Sequence, residues 1–143
     1  MLRGRFIFIK LVRQPLIHST SWKVSRKSTC TAADRTLRLR ETQGEVWAWG
    51  DNQSGGLGDG TTTSSNTPVQ VSDLSDVQAI AAGCSYSLAL KNDGSVWAWG
   101  NNSIGQLEDG TFDQRTAPVQ VSGLSGVQAI AAGGAHSLPV VCC

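Results

Sequence analysis

Apolar and polar positions alternate with a period of two in Ser95–Gly100 (SVWAWG). In an extended chain this puts Val96 and Ala98 on one face and Trp97 and Trp99 on the other. The preceding run Ser87–Lys91 (SLALK) is a second strand, and Asn92-Asp93-Gly94 between them is a hairpin turn whose glycine accepts positive φ. Ala117–Val121 (APVQV) reads as an edge strand, because Pro118 lacks a donor and suits an edge or a strand start. Val77–Ala82 (VQAIAA) is short, bounded by Gly83 and built of small residues, which favours a strand over a helix and suits a crowded innermost position. These are four short strands in about 50 residues, the unit of a β-propeller blade.

The pattern then repeats. Residues 44–93 align with 94–143 without a gap, and about 28 of 50 positions are identical. Glu45–Thr61 (EVWAWGDNQSGGLGDGT) returns as Ser95–Thr111 (SVWAWGNNSIGQLEDGT), Pro68–Val71 as Pro118–Val121, and Val77–Gly83 unchanged as Val127–Gly133. Thr36–Gly44 (TLRLRETQG) is a fainter upstream echo of Ser87–Gly94 once one extra residue is allowed.

These motifs, GxVWAWGxNxxGQLGDGT followed by PVQVxxLxxVxAIAAGxxHSLALxxDG, resemble the repeats of the regulator of chromosome condensation family over roughly residues 44–138. The resemblance implies an all-β fold: a partial β-propeller of about two four-stranded blades from a normally seven-bladed architecture, preceded by an irregular basic tail. In blade register Val77–Leu124 is one complete blade, preceded by the outer strands of another. An innermost strand, Val127–Ala132, follows it with no partner strand expected. Agreement between the copies stops abruptly after Leu138, where Pro139–Cys143 replaces the expected continuation. The chain is therefore expected to be a fragment of a longer propeller, truncated or frameshifted.

Charge divides the chain in the same place. Residues 1–40 hold ten of the twelve Lys and Arg and a single acid, Asp34, whereas 41–143 hold Lys91 and Arg115 against ten acids. We assign 1–40 as a basic, poorly structured N-terminal extension and 41–143 as the repeats. The composition through Ala33 also fits an organellar transit peptide, the weaker reading. Phe6–Val12 is far shorter than the ~20 residues that span a bilayer, and no clear secretory signal is present. The basic tail could favour nucleic acid or an anionic surface, but its aromatics are few and the acidic body opposes it, so this stays a minority reading.

The glycine-rich loop invites a ligand. A phosphate cradle needs GxxxxGK[ST], and this segment has no lysine. A dinucleotide site needs a strand, GxGxxG and a helix in succession, and neither the spacing nor a helix is present here. Gly55-Gly56-Leu57-Gly58-Asp59 is one residue from a GGxGxD calcium repeat, but the second copy reads Gly105-Gln106-Leu107-Glu108-Asp109 and loses the match. The glycines are therefore expected to serve tight turns, with Leu57 and Leu107 as plugs into the core.

His18 lies in the basic tail, and His136 is replaced by Tyr86 in the first copy, which favours packing over acid–base chemistry. Cys30, Cys84, Cys142 and Cys143 lack zinc spacing. Asn52-Gln53-Ser54 and Asn101-Asn102-Ser103 are formal glycosylation sequons in surface loops. No catalytic, cofactor-binding or metal-binding residue is assigned, and no cofactor is expected. The expected role is a non-enzymatic protein-interaction module whose partners are contacted through the propeller loops. The alternative implied by the resemblance is guanine-nucleotide exchange on a small GTPase of the Ran type, with chromatin association. Other propellers of this type inhibit β-lactamases or occur in ubiquitin ligases, so fold alone does not choose.

Overall fold

The computed structural model describes residues 38–42, 44–134 and 137–141, and these form strands and turns without a helix. The strands are β1 (Arg38–Thr42), β2 (Glu45–Gly50), β3 (Ser65–Gln70), β4 (Val77–Ala82), β5 (Tyr86–Lys91), β6 (Val96–Gly100), β7 (Arg115–Gln120), β8 (Val127–Ala132) and β9 (Ser137–Val141). They build three antiparallel sheets in the orders β1-β2-β3, β4-β5-β6-β7 and β8-β9. The middle sheet is a complete four-stranded blade, and among the described residues three strands of one blade and two of another stand on either side of it. This is the blade register read from the sequence: one complete blade, outer strands of another before it and an innermost strand after it.

Two differences from the sequence reading are instructive. Val127–Ala132 does have a partner: β9 pairs with it, Ile130 opposite Pro139, just as Ile80 lies opposite Ala89 in the complete blade. Backbone pairing follows register rather than side-chain identity, and proline is tolerated because β9 is an edge strand. Pro118 is likewise on an edge strand, but β7 opens three residues before it. The register there shifts between Ala98 and Gly100, and the irregularity accommodates the missing donor. The upstream echo is a real strand, since β1 pairs with β2 from Arg38 opposite Trp49 to Thr42 opposite Glu45.

The core lies between the sheets. Ile80, Ala89 and Trp99 of the middle blade meet Val46, Ala48 and Leu57 of the first in one apolar cluster. On the opposite face, Ala79, Leu88, Leu90 and Ala98 meet Val127 and Ile130 of the third. The middle blade is thus buried on both sides, and the small residues of β4 let its neighbours approach. The alternation in VWAWG assigns these faces as expected: Val96 and Ala98 look toward the third sheet, Trp97 and Trp99 toward the first. Gly94 closes its hairpin at φ 82°. Its carbonyl accepts from Val127 N at 3.3 Å, as the carbonyl of Gly44 accepts from Val77 N at 3.2 Å. Each hairpin turn therefore anchors the innermost strand of the following blade.

Candidate functional site

The repeated glycine-rich loop connects the third strand of a blade to its fourth. Two consecutive turns open it: Gly55 N donates to the Asn52 carbonyl at 2.9 Å, and Gly58 N to the Gly55 carbonyl at 3.0 Å. The second copy reproduces both, through Gly105 N to Asn102 O and Glu108 N to Gly105 O, at 3.0 and 3.1 Å. The turns drive Leu57 and Leu107 into the core, where neither has any exposed surface.

Asn52 holds the loop shut. Its Oδ1 accepts from Leu57 N at 2.9 Å. Its Nδ2 is shared among the Thr61 and Thr63 carbonyls, Thr61 Oγ1 and Asp59 Oδ1, at 3.0–3.3 Å. Asp59 Oδ1 in turn accepts from Thr61 N and Thr61 Oγ1 at 3.0 and 2.8 Å. Asn102, Asp109 and Thr111 repeat the arrangement. Both asparagines are fully buried. The oxygens that suggested a ligand loop thus satisfy the loop's own donors. Among the described residues no group of three or more His, Cys, Asp or Glu is placed to hold a metal.

Sequence reasoning missed this role of Asn52, reading it only as a sequon acceptor; a buried amide so engaged is closed to modification in the folded chain. The signal was present, because Asn, Asp and Thr at these three positions survive in both copies while neighbouring residues change.

Asp109 carries one addition, a 2.7 Å ion pair with Arg115 Nε, where the first copy has Ser65. Burial raises its pKa, but hydrogen bonds from Thr111, Arg115 and Asn102 outweigh that and bring it down to about 2. A depressed carboxylate stabilises the fold above the unfolded aspartate value, about 3.9. That contribution is lost as pH falls through about 2. Denaturant midpoints measured while acidifying from about pH 5 to about pH 2 should drop, and Asp109→Asn should flatten that part of the profile.

The loops also join the blades. The Gly56 carbonyl accepts from Trp99 Nε1 at 2.8 Å and Ser87 Oγ at 2.9 Å, both from the middle blade. One repeat on, the Gln106 carbonyl accepts from Ser137 Oγ at 3.1 Å. A side chain at Gly58 would place its Cβ 2.6 Å from Trp99 Nε1. In the second copy this position is Glu108, held at φ 52° in the left-handed region and bonded to Ser137 Oγ at 3.0 Å. Non-glycine residues there cost roughly 1–2 kcal/mol. Glu108→Gly is therefore expected to stabilise the chain by about 1 kcal/mol in equilibrium unfolding, after allowing for the looser unfolded state and the lost bond.

Tyr86, the counterpart of His136, is buried, donates to the Gly133 carbonyl at 3.1 Å and lies so close to Gly83 that no side chain fits there. Burial, opposed by that hydrogen bond and assisted by the Glu108 charge, pushes its pKa up to about 12. It is a packing residue, as the sequence suggested. Cys84 is disulfide-bonded. His18, Cys30, His136, Cys142 and Cys143 lie outside the described residues.

Three sheets joined by repeated loops define a propeller-repeat protein, and the comparisons specify the family. Residues 43–90 and 93–140 match the Regulator of chromosome condensation (RCC1) repeat, as do residues 77–106 in a second form. The chain belongs to this family.

Mouse E3 ubiquitin-protein ligase HERC2 is 37% identical over 67 residues, covering 45% of this chain and 1% of that protein. The chain resembles human WBSCR16 with TM-score 0.66 and 25% identity over 90% of its length, spanning 33% of the neighbour. It also resembles a chain in the crystal structure of Kap60 bound to yeast RCC1 (Prp20), with TM-score 0.61 and 27% identity. That match covers 87% of this chain and 29% of the neighbour. No helix among the described residues is long and apolar enough to cross a membrane.

Proposed function

We propose that the chain is a non-enzymatic protein-interaction module whose contact surface is formed by its blade loops. One observation supports this reading above others: the Asn, Asp and Thr side chains of the repeated loop are engaged within it, while most of its exposed positions, Ile104 and Phe112 among them, differ between copies. A conserved frame carrying variable exposed residues is how loops on rigid scaffolds acquire partners. The similar yeast RCC1 (Prp20) is itself bound by a protein, Kap60, which supports a protein partner for this chain.

The test is proximity labelling of the full chain, followed by reconstitution with the purified partner. Phe112→Ser should weaken that complex at least about tenfold, the effect expected of one aromatic anchor. Unchanged affinity removes the loop reading.

The second reading is nucleotide exchange on a small GTPase, with chromatin association; it rests on the family resemblance and the likeness to the RCC1 (Prp20) structure. Purified chain at micromolar concentration would then accelerate nucleotide release from a Ran-type GTPase. No acceleration removes this reading and leaves the first intact.

A further inference from the structure

We propose that Thr67, on the outer strand of the first blade, is a phosphorylation site for a proline-directed protein kinase using ATP. Residues 61–72 read TTTSSNTPVQVS, and Thr67-Pro68 is the one place in the chain where a hydroxyl residue precedes proline. The site is separate from the loop reading above. In the transfer, Thr67 Oγ1 attacks the γ-phosphorus of ATP and a new O–P bond forms. The bond from that phosphorus to the β,γ-bridging oxygen breaks, ADP leaves, and the hydroxyl proton passes to the kinase's catalytic carboxylate.

Transfer needs the hydroxyl held in line with the phosphoryl group, so the acceptor segment has to leave its own sheet and enter the kinase cleft. The backbone of β3 allows this. Its pairing with β2 jumps from Val69 opposite Ala48 to Ser65 opposite Gly50, so Asn66, Thr67 and Pro68 stand opposite Trp49 alone. All three are exposed. Thr67 N donates locally, to Ser65 Oγ at 3.3 Å. Pro68 has no N–H to surrender and confines Thr67 to extended backbone, which lowers the ordering cost of docking. Among the described residues β3 has a neighbouring strand on one side only, which leaves its outer side open.

Neighbouring hydroxyls are committed to the fold. Thr61 Oγ1 donates to Asp59 Oδ1 at 2.8 Å and accepts from Thr63 N at 3.2 Å. Ser64 Oγ donates to Asp51 Oδ1 and accepts from Asn52 N, and Ser65 Oγ donates to the Thr67 carbonyl at 2.7 Å. Thr67 Oγ1 itself has one long contact, 3.3 Å to Ser65 Oγ. Thr62 and Thr63 are exposed as well, but neither precedes proline. The frame does not need the Thr67 hydroxyl, because the second copy carries Ala117 before Pro118 in the same register. Residues 61–72 hold no charged side chain, so a phosphate of about two negative charges would dominate this edge and oppose edge-to-edge strand pairing.

The test incubates the purified full chain with a purified mitogen-activated protein kinase and magnesium ATP, and maps phosphate by mass spectrometry. Thr67 should be the chief site, and Thr67→Ala, which copies Ala117, should abolish the label there. Pro68→Ala, with an unchanged unfolding midpoint, should slow transfer to Thr67 about tenfold, the effect of returning one unsatisfied amide donor to the contact. No phosphate at Thr67, labelling of Thr62 or Thr63 in equal measure, or an unchanged rate in Pro68→Ala overturns the proposal.

Discussion

Replacing Trp99 by alanine should lower the unfolding free energy by about 4–5 kcal/mol, at the upper end of the range for a buried aromatic. The indole has no exposed surface, lies in the cluster joining the first two blades and donates to the Gly56 carbonyl at 2.8 Å. Alanine leaves a cavity between two sheets, with Gly58 and Val71 on its wall. The Gly56 carbonyl keeps its bond from Ser87, so the loss comes chiefly from the void. Trp99→Phe retains most of the apolar contact and should cost about 1–2 kcal/mol, a measure of the smaller ring and the missing donor. Trp49 is the internal control, being the same residue of the repeat in the first blade but only half-buried. Trp49→Ala should cost about 1 kcal/mol. Equal losses at Trp49 and Trp99 in denaturant unfolding would show that the blade interface does not carry the stability.

The fold was legible in this sequence because the chain states its unit twice. Alternation in VWAWG assigned both faces of β6 correctly, and the pattern of matches and mismatches between the two copies distinguished positions the frame requires from positions it does not. What stayed hidden depended on backbone register or on contacts between blades. β9 escaped notice because Pro139–Val141 no longer looks like Ala89–Lys91, yet its hydrogen-bonding register is unchanged. Ser87 and Ser137 looked like unremarkable polar residues, but each donates to a carbonyl 31 residues earlier, on the neighbouring blade. No local pattern announces such a bond. The asparagine staple lay between these cases: Asn52, Asp59 and Thr61 recur together, but that one amide closes the loop is visible only in three dimensions.

That staple gives the second large effect. Asn52→Ala should cost about 3–4 kcal/mol, because truncation strands several buried groups at once. Leu57 N loses its acceptor, and the Thr61 and Thr63 carbonyls lose a donor. Asn52→Asp separates the structural account from the ligand account. Aspartate preserves shape and the acceptor for Leu57 N, but presents an anionic oxygen where Nδ2 now faces Asp59 Oδ1 and two carbonyls. Repulsion in a buried site should make Asn52→Asp at least as damaging as alanine at pH 7. A ligand loop short of one carboxylate would behave differently, since the added acid would leave folding intact and create calcium affinity. Unfolding curves of the two variants, each with and without millimolar calcium, decide between them. A destabilised, calcium-insensitive Asn52→Asp chain is the expected result. The same pair of substitutions at Asn102 should follow suit, because the second loop is closed by the same acceptor bond to Leu107 N and by Nδ2 bonds to Asp109 and Thr111.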